Sequence, residues 1–409
     1  MFDQEGHLSL TEDAPQARAL FTGDLCPINR LDGMLVQGDL QGAFGDTLDV
    51  FRQADLAVVN LEAPLCDVEA PIDKLGPNFR SDPAVAGALA EVPVRVACLA
   101  NNHVMDQGAQ GLKATLDNLE AAGISHLGAR RDQSEAGRPL SLEVKGLRLA
   151  LLNYGTVEGA LPTSGPGAAR MDPIRIRRAV CNAAADYDLV IPVLHTGKEE
   201  VLFPSPMMTR LCRELVEAGA SAVVCHHPHV PQGIEIYRDC PIAYSLGNFL
   251  FDWHEPEPLT DTSFLLELEL AGPGVSGLRL HPIVKSATGG AKLMSAPARE
   301  EYLEFMADIS MPLTSPERHE GLWLEQCRRL LGSWYAPRLA RGQDLCGDDL
   351  GSHRRACLTF LNVLEDWEHG ENLRAALLAE VTGGPIADPE AGQYLDDLRV
   401  RLEAFARQS

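Results

Sequence analysis

The run VRVACLA (94–100) passes without a break into NNHVMDQG (101–108). Its first half is a short, almost wholly apolar segment, the pattern of a β-strand covered on both faces. Its second half gathers amide, imidazole and carboxylate side chains. From Gly108 to Ala122 apolar residues then recur at helical spacing. Strand, polar loop and helix in that order form the repeating unit of an α/β domain, in which parallel strands present their C-terminal ends on one edge.

The same sentence recurs along the chain. Candidate strands are RALFT (18–22), LAVVN (56–60), LRLALLN (147–153), LVIPVL (189–194), SAVVC (221–225) and IAYSL (242–246). Polar residues follow several of them: Asp24, Asn60 with Glu62, His195, His226-His227-Pro228-His229, and Asn248. A second helix is expected over Pro206 to Ala218. SFLLELEL (263–270), then GPGVSG and LRLHPI, read as a late hairpin. From about 297 the strand signal ends, and amphipathic helices are expected over Arg299–Ser310, Glu317–Leu331, Ser352–Glu368, Glu371–Val381 and Glu390–Arg407. The chain therefore divides into an α/β domain, 1–311, and an all-helical C-terminal region, 312–409. The Pro- and Gly-rich loops 160–170 and 253–261 are placed to flank a cleft. Neither an internal repeat nor a low-complexity segment is present.

Composition sets the outer limits. The 409 residues are 45% apolar and 23% charged, as in soluble globular proteins. A net charge of −23 argues against a nucleic-acid partner, since phosphate backbones require a basic face. The opening MFDQEGHLSLTEDAPQ is acidic and polar, so neither a secretion signal nor a membrane anchor is expected, and the expected compartment is cytoplasmic. The ten cysteines form no CxxC pair, and several sit inside apolar runs, which reads as reduced, hydrophobic cysteine.

Converging strand ends would bring Asp24, Glu62, Asn102, His195, His227 and His229 together. Two carboxylates, one amide oxygen and three imidazoles suit one or two divalent ions such as Mn²⁺, Zn²⁺ or Fe²⁺; Mg²⁺ prefers oxygen ligands and retained water. In an extended segment His227 and His229, two apart, face the same way, with Pro228 stiffening the turn. Each residue also has a plain reading, such as a capping Asp24 or a core His195. Six separate coincidences of that kind are a poorer account than one shared site. Asp106 opens the helix after the asparagine pair and reads as its N-cap, outside the site.

With these residues in view, the chain resembles the CapA family of poly-γ-glutamate capsule biosynthesis proteins, itself similar to the calcineurin-like metallophosphoesterases. The resemblance runs from about Leu20 to about Ser310. It rests on FTGDL (21–25), VVNLEAPL (58–65), NFRSDP (78–83), LANNHVMDQGAQGL (99–112), HTGKE (195–199), HHPHVPQG (226–233) and YSLGNFLFD (244–252). It implies an α/β fold, a four-layer αββα metallophosphoesterase-like sandwich with metals at the strand ends, here carrying an all-helical C-terminal extension. It also implies that Asp24, Glu62, Asn102, His195, His227 and His229 are metal ligands and that His103 is catalytic, passing a proton to the leaving group after attack by a metal-activated hydroxide. Asn60, Arg80, Asn101, Lys198 and Asn248 are the candidate substrate-binding residues. The sequence departs from the related phosphoesterases at Cys26, where a histidine ligand is usual, and at Asn60 and Glu62, where an aspartate is usual. It departs from the CapA pattern at Thr196, Glu200 and Cys225.

Three functions stand open at this level. One is a metal-dependent hydrolase of phosphoesters or related acidic substrates. A second is an enzyme of γ-glutamyl or peptide amide chemistry, and a third is a non-catalytic metal-binding assembly subunit. The expected partner is a small-molecule or peptide-like acidic substrate, with the helical C-terminal region a candidate homodimer surface.

Overall fold

The structure, a computed structural model, describes residues 2–158, 165–253, 258–272, 274–346, 349–382 and 389–407. The two loops expected to flank a cleft lie partly outside these residues.

Two β-sheets form the centre. The larger, of nine strands, runs parallel through Ala17–Cys26, Leu56–Leu61, Val96–Cys98 and Ser125–Leu127. On its other side it is continued by the antiparallel hairpin Thr262–Ala271 and Gly274–Lys285, as the alternating SFLLELEL pattern predicts. The smaller, of six strands, has Leu147–Gly155, Leu189–His195, Val223–His226 and Cys240–Ala243 parallel at its heart.

Alternate residues of each strand enter different cores because successive side chains point to opposite faces. Ala19, Phe21, Leu56, Val58, Val96 and Cys98 meet Leu149, Leu151, Ile191, Val193 and Val224 between the sheets. Their neighbours Leu20, Ala57, Val59, Ala97 and Leu99 pack outward on the helical layer that includes Gly108–Ala121. Ala150, Leu152, Val190, Leu194 and Cys225 pack outward on Pro173–Asp186 and Pro206–Glu217. The result is four layers, αββα. Covering on both faces is why these strands read as unbroken apolar runs.

Beyond Ser310 the described residues are helical. The last helix, Pro389–Ala406, sends Leu395, Leu398, Leu402 and Phe405 into the same core that the sheets share. One boundary moves. The break expected near residues 368–371 falls at Asp366, between Leu350–Glu365 and Trp367–Thr382. Asp366 is extended (φ −82°, ψ 111°), and its carboxylate accepts the Glu368 and His369 N–H groups at 2.8 and 3.0 Å, so it caps the second helix. No helix among the described residues is long and apolar enough to cross a membrane. Nine cysteines, those whose side chains are described, are free thiols.

Candidate metal centre

The site lies where strand ends of both sheets meet. The nine-stranded sheet contributes Asp24, Asn60, Glu62 and Asn102, and the six-stranded sheet contributes His195 and the 226–229 loop. Gly23 makes the junction close enough. A Cβ there would lie 2.2 Å from the Gly247 carbonyl, which instead accepts the Asp24 N–H at 2.9 Å and sets Asn248 beside Asp24. His227 and His229 are not extended, as two-apart spacing on a strand would have it. Both have positive φ, 100° and 59°, a conformation costly for residues with a Cβ and concentrated at functional sites. That turn, rather than strand alternation, brings their rings to 5.8 Å.

The polar side chains interlock. His195 Nε2 lies 2.9 Å from Asn102 Oδ1 and 3.5 Å from Glu62 Oε1. His229 Nδ1 is 3.2 Å from Asp24 Oδ2, and its Nε2 is 3.9 Å from Glu62 Oε1. The rings of His195 and His227 are 4.9 Å apart. Two overlapping sets of ligand atoms result, Glu62–His195–His227 and Asp24–Glu62–His229, with Glu62 common to both.

These residues fit a divalent cation. Both Glu62 oxygens, Asn60 Oδ1 and His227 Nδ1 are buried without a hydrogen-bond partner. Buried polar atoms are ordinarily satisfied, and a carboxylate left bare away from water is especially costly. A cation among the oxygen and imidazole donors would satisfy them, and the donor set is one that borderline divalent metals accept. The electrostatics agree. Burial first, then repulsion from Asp24, pushes the Glu62 carboxyl well above its usual range. Burial also disfavours the Asp24 charge, but hydrogen bonds from His226 and His229 outweigh it and hold Asp24 well below the usual range. Against the same desolvation, Glu62 and Asp24 lift His229 to about 10. His227 is lowered to about 4, mainly by burial. Without a cation the cluster thus favours a proton on His229 and disfavours the Glu62 charge.

A cavity of about 730 Å³ opens on this cluster through Asn102, His103, His229, Lys198 and Glu199. His103 stacks on Phe79 at 4.2 Å, and its Nδ1 is 2.7 Å from Asp106 Oδ2 and 3.1 Å from Lys74 Nζ. The shorter contact places Nδ1–H on Asp106 and leaves Nε2 for the cavity. Burial, then Lys74, lowers the His103 pKa well below its usual value, so the resting imidazole is neutral. Asp106 is not the expected N-cap. Gln107 occupies the cap position without a side-chain bond, while Asp106 is fully buried and accepts the Phe79 N–H at 2.6 Å and Lys74 Nζ at 2.6 Å. Burial raises its carboxyl to about 6.

The six ligand candidates and His103 come together, and Lys198 lines the cavity beside Glu199. Other assignments change. Arg80 is half-exposed at the surface, 3.3 Å from the Asp67 carbonyl and 3.8 Å from Glu69, off the cavity wall. The Asn101 amide serves the backbone: it donates to the Leu61 carbonyl at 2.8 Å and accepts the His103 and Val104 N–H groups, so it shapes the loop rather than meeting substrate. Asn60 is buried inside the cluster, 2.8 Å from Asp24 and 3.1 Å from His195 Nδ1. Asn248 orients His229 through a 2.9 Å contact. Three residues escaped the sequence reading. His226, 3.1 Å from Asp24, was signalled by the HHPH run. Asp106 carried a competing capping explanation. Lys74, in a loop of no marked pattern, had no signal. Cys26 is buried among Ile28, Ala63, Phe79 and Phe251, away from the ligand sets.

Comparison with known proteins gives this geometry a lineage. The chain is 30% identical over 295 residues to the PGA biosynthesis protein CapA of Bacillus subtilis, covering 70% of this chain and 75% of that protein. It is 34% identical over 205 residues to the capsule biosynthesis protein CapA of Bacillus anthracis, 48% of this chain and 49% of that one. Among solved structures, a 5'-nucleotidase from Candida albicans aligns with a TM-score of 0.41 and 9% identity over 76% of this chain and 57% of its own. A sequence model for the bacterial capsule synthesis protein PGA_cap matches residues 18–253, the stretch that carries all six candidate ligands. With more than half of the chain so matched, and a relative matched over three quarters of its length, this protein belongs to the PGA_cap family of bacterial capsule synthesis proteins.

Proposed function

We propose that this protein is a metal-dependent hydrolase acting on a phosphoester or a related anionic substrate. The observation that carries the reading is Glu62, a fully buried carboxylate with neither oxygen hydrogen-bonded, set among Asp24, His195, His227 and His229. Glu62, His195 and His227 would hold one cation, and Asp24, Glu62 and His229 a second or the same one, with Asn102 Oδ1 adjacent. A divalent ion supplies Lewis acidity and lowers the pKa of water bound to it. The chain's own groups do the rest. Asn60 and His226 hold Asp24, and Asn248 fixes the His229 ring. Asp106 holds His103 through Nδ1–H, so that Nε2 exchanges a proton with the leaving group. Because His103 is neutral at rest, its Nε2 would take the proton released by the attacking water and pass it to the leaving group.

A second reading, cleavage of an amide such as a γ-glutamyl bond, is favoured by the relatives, which are named for PGA and capsule biosynthesis. Elemental analysis of protein purified without chelator tests the shared premise: a stoichiometric transition metal is expected in the wild type, and none in His227→Ala. Phosphate release from an aryl phosphomonoester with added Mn²⁺, lost in His227→Ala, supports the first reading. Turnover of a γ-glutamyl anilide alone would replace it with the second. Bound metal with neither activity would make the protein a metal-binding assembly subunit.

A further inference from the structure

The cavity over the ligand cluster has two unlike sides. Its charged lining residues, Lys198, Glu199, Glu200, Arg329 and Arg399, come from the segment after His195 and from the C-terminal helices. Gln326 ties those two parts together. Its Oε1 accepts the Leu202 and Phe203 N–H groups at 2.9 and 3.2 Å, and its Nε2 donates to the Phe203 carbonyl at 3.2 Å. The other side holds His103 and His229 and is built on aromatic rings, of which Phe251 and Trp253 line the cavity directly.

Two lines of rings run outward from the two histidines. The first starts at His103, which stacks on Phe79 at 4.2 Å; Phe79 in turn meets Trp253 at 5.4 Å and 62°. The second starts at His229, whose ring meets Phe251 at 5.2 Å and 79°; Phe251 then stacks on Trp253 at 5.0 Å and 25°. Phe79 and Phe251 touch each other at 5.8 Å, so the lines are joined. Both end on Trp253.

The three rings are not equally covered. Phe79 and Phe251 are 8% and 3% exposed, while Trp253 is 39% exposed and lines the cavity. A single exposed tryptophan on an outer surface would need no explanation. This one rests on two buried rings, which fix its plane, and it stands one ring away from the imidazole assigned to the leaving group. A platform held rigid beforehand loses little freedom when a ligand ring is laid on it. Offset-stacked and edge-to-face pairs add binding beyond the area they bury, by about twofold to tenfold in affinity.

We infer that Trp253 is a stacking platform, and that the substrate's leaving group carries a planar aromatic or heteroaromatic ring. The ring lies on the indole, the atom that receives the proton lies at His103 Nε2, and the bond that breaks lies over the candidate ligands. That the ring departs with the leaving group rests on the proposed hydrolytic reaction; its stacking on Trp253 does not.

The test is calorimetric titration of the purified full chain, in excess Mn²⁺, with benzylphosphonate and with cyclohexylmethylphosphonate. The two carry the same charged head, and in both a P–C bond stands where a phosphoester has the bond that is cut. The saturated ring is at least as apolar as the aryl ring, so burial alone gives the aryl compound no advantage. Benzylphosphonate is expected to bind about threefold to tenfold more tightly. Trp253→Leu, at a partly exposed position, is expected to erase that preference and Trp253→Phe to keep part of it, with metal content unchanged in both. Equal binding of the two phosphonates, tighter binding of the saturated one, no saturable binding of either, or an undiminished preference in Trp253→Leu would overturn the inference. If the preference and its loss in Trp253→Leu hold while no phosphoester or amide is turned over, the hydrolase reading fails alone; if an aryl phosphomonoester is hydrolysed without any such preference, the stacking platform fails alone.

Discussion

At the scale of single residues, the proposed chemistry divides between the Glu62 cluster and His103 with Asp106, and the parts separate by experiment. Glu62→Gln keeps the volume but removes the charge that a cation needs. Metal content in that variant is expected to fall at least tenfold by elemental analysis, while the fold, read by circular dichroism, persists. His103→Gln and Asp106→Asn address the neighbouring function. Both should retain metal, because neither belongs to the ligand sets, and turnover should fall by about 10²–10⁴ for His103 and less for Asp106. Retention of full activity by His103→Gln would remove it from the mechanism. The sequence exposed the ligands because each stands directly after an apolar run. It misplaced Asp106 because an aspartate at the start of a helix has a ready local explanation, and only the contacts to His103, Lys74 and Phe79 show which role prevails. Asn101 erred the other way: its amide looked available for substrate and is consumed by three backbone groups.

At the scale of elements, the helical region is fastened by polar contacts with a testable pH response. Glu368 is fully buried against Ser205, and burial raises its carboxyl from 4.5 to about 8. Between those two values the folded protein holds a proton that the unfolded chain releases. Stability from this group therefore declines as pH rises through that window. Glu368→Gln keeps an acceptor for the Ser205 hydroxyl without the charge. Its stability by denaturant unfolding should stay close to the wild type near pH 5 and exceed it near pH 8.5, by up to about 5 kcal/mol. A pH-independent difference would show that Glu368 is ionised throughout. Gln326 is the complementary case. Gln326→Ala removes three hydrogen bonds to Leu202 and Phe203 and strands buried backbone groups, at an expected loss of about 2–4 kcal/mol by denaturant unfolding. The helices themselves were legible as amphipathic periods. Their junction at Asp366 was not, because the break is made by a carboxylate that caps the following helix, and an aspartate inside an amphipathic period gives no such signal.

At the scale of the whole molecule, metal, protons and folding are linked. Burial and Asp24 disfavour the Glu62 charge, and His229, raised to about 10, holds a proton that a cation taking its nitrogen must displace. Raising the pH therefore favours the metal-bound state. The rise in melting temperature caused by excess Mn²⁺ should be larger at pH 8 than at pH 6 and abolished by chelator, and it corresponds to about 2.7 kcal/mol at a hundred times Kd. An unchanged or shrinking increment from pH 6 to 8 would contradict the proton assignment. The sequence by itself determined the α/β class and the candidate ligand side chains, while the four-layer arrangement was expected from the family resemblance. The first two follow from a local rule, namely apolar runs that end in polar residues. Only the tertiary structure decided that His227 and His229 converge through left-handed turns, that Lys74 and Asp106 stand behind His103, and that helices some 70 to 150 residues beyond the family match form the wall facing the candidate ligands. Those facts depend on contacts between segments far apart in the chain, and no local pattern of apolar and polar residues encodes which distant surfaces will meet.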